Sequence, residues 1–132
     1  MYEFFKNIAE ENDWHFEYSR EDYQNLSELE VGQIGLYVDP IITESKFSSA
    51  GNESLTFSGR FMILMNSDVD ESYIDKYNNY IEPLKQNQLQ LLKDEISCSN
   101  YEIKSWKTLE VINYFDSNVD GVLINYNISL ID

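Results

Sequence analysis

The last third of the chain constrains the fold most. Residues 101–131 read YEIKSWKTLEVINYFD, then SNVDG, then VLINYNISLI, two strand-like arms around a turn-forming stretch. On the return arm Val122, Ile124, Tyr126, Ile128 and Leu130 alternate with Asn125, Asn127 and Ser129, and Leu123 and Ile131 are the apolar exceptions. A period of two puts each set on its own face, so the pattern predicts a long β-hairpin with one buried and one wetter face. Such a hairpin needs apolar cover, and the preceding residues must supply it.

Met1, Phe4, Phe5 and Ile8 fall at helical spacing, which predicts a short amphipathic helix over 2–12. Asn12-Asp13 ends it, and Trp14, Phe16 and Tyr18 then alternate with His15 and Glu17 as in a short strand, with His15 on the polar side. Tyr23, Leu26 and Leu29 punctuate an acidic stretch with steps of three, enough for a turn or two of helix. Ile34 to Val38 reads as a strand closed by Asp39-Pro40. Residues 43–54 are small and polar around a lone Phe47, the most loop-like part of the chain, expected to be mobile until a partner orders it.

Residues 55–65 form the second clear strand, with Leu55, Phe57, Phe61, Ile63 and Met65 on one face. Gly59 shares that register, and a mid-strand glycine implies a bulge or a close backbone approach. The main helix follows, capped by Ser67 or Asp70, with Asp68, Asp70, Glu71 and Asp75 near the positive end of its dipole. Ile74, Tyr77, Ile81 and Leu84 make one stripe, which Leu89, Leu92 and Ile96 continue with a small offset. Pro83 between them predicts a kink or a two-part helix, which stops near Ser97-Cys98-Ser99-Asn100. The order is helix, strand, strand, strand, long helix, strand, strand. That is a two-layer α+β class: one long, Pro-kinked helix and a short N-terminal helix on a largely antiparallel β-sheet.

With 132 residues the chain fits a single domain, 1–132, with one core. Its 42% apolar and 14% aromatic content argues for a folded chain. No apolar run approaches a membrane span, and the acidic start MYEFFKNIAEEN lacks the basic opening of a secretory signal. The expected compartment is therefore a cytoplasm, or a particle assembled in one. A single cysteine, Cys98, allows no intramolecular disulfide, and a single histidine, His15, gives no zinc set. Nine basic and twenty-four acidic residues leave a net charge of −15. Such a surface repels nucleic acid and anionic membranes. The excess concentrates in 10–30, where eight acids face only Arg20.

Motifs for catalysis are weak. Asp116, Asn118, Asp120 and Gly121 resemble the opening of a calcium loop, in which alternate oxygen ligands precede a glycine. The twelfth position is Asn127 rather than a bidentate glutamate, and strand flanks replace helices, so a hairpin turn is the better reading. Asp68 and Asp70 read as helix-start carboxylates rather than an acid/base pair. Cys98 and His15 carry no local signature of a thiol dyad. No cofactor and no catalytic residue is expected, and the chain reads as a non-enzyme.

The stretches FSGRFMILMNSDVDESYIDKYNNYIEPLKQN and IKSWKTLEVINYFDSNVDGVLINYNISL resemble small structural proteins of tailed bacteriophages, most of all the tail terminator and head–tail completion group. The resemblance rests on element order and on Gly59, Arg60, Trp106 and the Asp116–Gly121 turn. It implies a homo-oligomeric ring, hexamer or dodecamer, at the end of a tail tube or at the neck of a virion assembled in the host cytoplasm. Partners would be neighbouring tail or neck proteins, with DNA passing an acidic wall without specific binding. The expected contact residues are Ile41, Ile42, Phe47, Arg60 and Trp106. The alternative is an acidic DNA mimic or immunity-type inhibitor that binds a basic protein.

Overall fold

The computed structural model describes residues 1–19, 29–30, 32–67, 71–112 and 119–131. Helix α1 (Tyr2–Glu11) leads to β1 (His15–Tyr18), β2 (Ile34–Val38), β3 (Ile42–Phe47) and β4 (Glu53–Asn66). A bent helix follows, made of α2 (Tyr73–Lys76), two wide turns (Tyr77–Ile81 and Leu84–Gln88) and α3 (Leu89–Ser97). Strands β5 (Tyr101–Val111) and β6 (Val119–Leu130) close the chain. The strands form one six-stranded sheet in the order β1-β2-β4-β6-β5, with β3 also paired to β4. Only β1 and β2 run parallel; every other pairing is antiparallel. The α+β class, the two helical elements and the C-terminal hairpin are as the patterning predicts.

The helices cover one face. Val122, Ile124, Tyr126 and Ile128 of β6 are buried there with Phe61 and Ile63 of β4, beneath Phe5 and Ile8 of α1 and Leu84, Leu92 and Ile96 of the bent helix. The other face is not simply wet. Tyr37, Met62, Leu64, Val111, Val119 and Leu123 form a second buried cluster with Leu29. Leu123, an exception in a one-faced pattern, is thus a core residue of the second face. Strand β4 is consequently buried on both sides from Phe61 to Leu64, which its unbroken apolar run FMIL encodes.

The bent helix departs from its expected stripe. Ile74 and Tyr77 are exposed, the first at 74%, whereas Lys76, Ile81, Leu84, Leu89, Leu92 and Ile96 are buried. The buried face contains two five-residue steps, Lys76 to Ile81 and Leu84 to Leu89. Five residues of α-helix overshoot a full turn by about 140°, so such pairs cannot share a face of a regular helix. The wide turns correct this, with Glu82 N donating to Tyr77 O and Leu89 N to Leu84 O. Pro83, helical at φ −60° and ψ −38°, lies between them, where the loosened ladder absorbs its missing N–H. The helix cap is Ser72, whose hydroxyl accepts from Asp75 N at 3.2 Å, not Ser67. Asp68 and Asp70 lie outside the described residues.

Segment 43–54 is mostly a hairpin rather than a loop, with its turn, 48–52, outside the strands. Strand β3 pairs with the first half of β4 from Ile42↔Ser58 to Phe47↔Glu53. It continues the line of β2 after an irregularity: between Val38↔Phe61 and Ile42↔Ser58 there are four steps on one strand against three on the other. The extra residue bulges the chain at Asp39–Pro40–Ile41, and Asp39 N donates to Arg60 O at 3.0 Å across it. The result is an arm, β3 with residues 53–58 of β4, projecting past the end of β2.

Gly59 faces Tyr126 across the β4–β6 ladder, and a Cβ at Gly59 would lie 3.2 Å from the Tyr126 hydroxyl. The ring therefore occupies the space that a side chain would need, the close approach expected at this position. That hydroxyl is buried without a hydrogen-bond partner, and burial raises its pKa well above the ordinary tyrosine value. Tyr126→Phe removes an unsatisfied polar atom and keeps the ring. It is expected to leave stability unchanged or to raise it by about 1 kcal/mol in urea unfolding. A loss of more than that would mean the hydroxyl has a bonding role.

Candidate functional site

The five residues expected to make contacts divide sharply. Ile42 and Phe47, on the arm, are 62% and 67% exposed, and Ile41 at its root is half-buried. Arg60 and Trp106 belong to the fold instead. The Arg60 guanidinium meets Asp39 Oδ2 through Nη2 at 2.8 Å and Nε at 3.0 Å, clamping the bulge between β2 and β3. Trp106 is half-buried on the helix side of β5, its ring 5.5 Å from that of Phe61, with Lys93 Nζ 5.8 Å from the ring centroid. Arg60 is expected as a contact residue through the resemblance; its partner Asp39, 21 residues away in sequence and next to Pro40, cannot be read from spacing.

All six residues of β3 are exposed. Their side chains alternate between Thr43, Ser45 and Phe47 on one face and Ile42, Glu44 and Lys46 on the other. Glu44 and Lys46 lie 3.3 Å apart as an exposed ion pair. Among the described residues β3 pairs only with β4, which leaves its far side an open edge with all six residues exposed. Ser48 N donates to Asn52 O and Lys46 O accepts from Ser54 Oγ. Even-numbered residues therefore direct their backbone groups at β4, and Thr43, Ser45 and Phe47 direct theirs outward.

The second distinctive constellation is buried. Lys76 Nζ lies 2.9 Å from Asp120 Oδ2 and 3.0 Å from Ser67 Oγ, and both charged side chains are fully inaccessible. Asp120 is a strand residue of β6 rather than a turn or calcium ligand, and Lys76 occupies its carboxylate. Asp116 and Asn118 lie outside the described residues. Among the described residues no three His, Cys, Asp or Glu side chains converge as metal ligands.

The remaining candidates stand apart. Cys98 is exposed just beyond α3. His15 is half-buried rather than on a wet face, 5.8 Å from the Tyr37 ring, with Nε2 buried and unbonded. An open cleft of about 400 Å³ between the end of α1, the start of β2 and the bent helix is lined by Asn12, Asp13, Trp14, Gln33, Asn87 and Gln88, among others. Asp13 is its one ionisable side chain among those residues. Neither constellation pairs a nucleophile with a base. The arm presents an open strand edge together with exposed Ile42 and Phe47, and β5 is the edge at the other end of the sheet. Comparison with known proteins returns no matching family model and no similar curated protein.

Proposed function

We propose that this chain is a non-enzymatic assembly subunit, a component of the ring at the tail or neck of a tailed bacteriophage. The observation that carries the reading is the β3–β4 arm. Strand β3 and the outer end of β4 project past the end of β2, with residues 53–55 beyond the pairing with β6 and with Ile42 and Phe47 in water. A monomer gains little from exposing two large apolar side chains on a strand whose edge is free, because such edges invite association. A subunit that completes itself against neighbours uses both. The net charge of −15 suits a protein past which DNA slides without being held. Its partners would be copies of itself and the adjoining tail or neck proteins, and its location the virion.

The test removes the arm and leaves the core. Glu44 and Thr56 are a hydrogen-bonded pair, the flanking geometry of a two-residue hairpin. Replacing residues 45–55 with Asn-Gly is therefore expected to keep the melting temperature within a few degrees, on the order of 1 kcal/mol. Negative-stain microscopy and native mass spectrometry of the full chain are expected to show ring-sized oligomers that the trimmed chain does not form. A full chain that stays monomeric and instead captures a basic nuclease with salt-sensitive affinity would replace this reading by the acidic inhibitor.

A further inference from the structure

We propose that the open edge of β3 pairs antiparallel with β3 of a second copy of this chain, about a two-fold axis through Ser45. This builds on the arm as an assembly element and names its partner.

The register follows from three observations. First, Thr43, Ser45 and Phe47 carry the outward backbone groups, so directly hydrogen-bonded pairs between copies involve odd-numbered residues only. Second, a two-fold axis normal to the sheet maps each face onto itself, so it must pass through a residue and not between two. Third, the charges select which residue. An axis at Glu44 sets Glu44 against its own copy, and an axis at Lys46 sets Lys46 against its own copy. An axis at Ser45 sets Glu44 of each copy against Lys46 of the other, twice.

That register is also the one in which the backbone is best used. Ser45 pairs with its own copy, and Thr43 pairs with Phe47 of the other copy on either side, each pair exchanging two backbone hydrogen bonds. The Glu44–Lys46 pairs fall at the non-hydrogen-bonded sites, where opposing side chains approach closest. Phe47 then lies against Thr43 of the other copy rather than in water. The contact spans only one short strand from each copy, well below the roughly 1,200 Å² of a standard stable interface. It is therefore a contact that forms at high local concentration, as between subunits already held in a larger assembly. Contacts around a ring run head to tail, so this two-fold contact of the β3 edge joins two rings, while the exposed faces of the same arm are left for the contact between neighbours within one.

The experiment is a cross-linking series in a Cys98→Ser background, since exposed Cys98 would otherwise form its own cross-links. Ser45→Cys places two thiols across the axis, where hydrogen-bonded partners have Cα atoms about 5.5 Å apart, within disulfide range. Thr43→Cys holds its two copies four residues out of register, about 13 Å along the strand. Mild oxidation is expected to give rapid covalent dimer for Ser45→Cys and none above background for Thr43→Cys. Adding Glu44→Lys or Lys46→Glu to Ser45→Cys is expected to slow dimer formation roughly tenfold by opposing like charges. The double reversal, Glu44→Lys with Lys46→Glu, is expected to restore it. Thermal melting of each reduced variant confirms that the exposed substitutions leave the fold intact. Equal cross-linking at positions 43 and 45, none at 45, or no rescue by the double reversal overturns the two-fold pairing. Rings seen without cross-linking at 45 would leave the assembly reading standing, and cross-linking without rings would remove the ring alone.

Discussion

Lys76→Met is expected to cost about 3–5 kcal/mol of folding stability, because it leaves the Asp120 carboxylate buried without its cation. Lys76 and Asp120 are both fully inaccessible, so neither can turn to water when the other is removed. Asp120→Val alone is expected to cost a similar amount, because the buried ammonium loses its carboxylate while the Ser67 hydroxyl carries no countercharge. The double variant Lys76→Met with Asp120→Val removes both charges, and is expected to lie within about 1–2 kcal/mol of the parent. Urea midpoints at unchanged slope measure all three. Additive losses in the double variant would show that the two charges do not depend on each other.

The pair also has a positional meaning. It ties the first turn of the bent helix to the start of β6, with Ser67, just after β4, as the third member. A one-residue slip of β6 would carry Asp120 to the opposite face, away from Lys76. Apolar side chains alone tolerate such slips more readily in this hairpin, because Leu123 gives its second face an aliphatic residue too. The ion pair thus discriminates between registers that burial separates only in part.

The elements legible in the sequence are those with at least one face in the core. Ile34–Val38, the outer ends of the C-terminal hairpin and helix α1 follow their apolar spacing because burial imposes it. Strand β3 was hidden for the converse reason: Thr43, Glu44, Ser45 and Lys46 have water on both faces, so no alternation of hydrophobicity marks them. The polar composition that suggested a loop is what an exposed arm requires. The helix stripe slipped where Ile74 and Tyr77 obey a regular helix and the chain does not, since the wide turns follow the Lys76–Ile81 and Leu84–Leu89 steps. Of the candidate site, Ile42 and Phe47 were recognisable as large apolar residues in polar company. The edge that gives them meaning depends on pairing partners distant in sequence.

Gly121→Ala is expected to be among the most damaging conservative substitutions in the chain, about 3 kcal/mol or more. Asp120-Gly121 has the composition of a hairpin turn, and on that reading glycine serves a left-handed backbone. The structure gives a different reason. Gly121 lies within β6, opposite Leu64 on one side and Val111 on the other. A Cβ there would sit 2.0 Å from Ile63 O and 2.9 Å from Leu64 Cα. Both are backbone atoms of the neighbouring central strand, so no rotamer change relieves the overlap. The β4–β6 ladder would have to part at its most buried stretch. Gly51→Ala is the informative contrast: its φ of +83° is unfavourable for alanine, but no atom lies within 4 Å of the added carbon. It is expected to cost only about 1–2 kcal/mol, the conformational penalty alone. Urea unfolding of the two variants separates crowding from backbone conformation, and equal losses would show that Gly121 is kept for its dihedral freedom rather than for the closeness of β4.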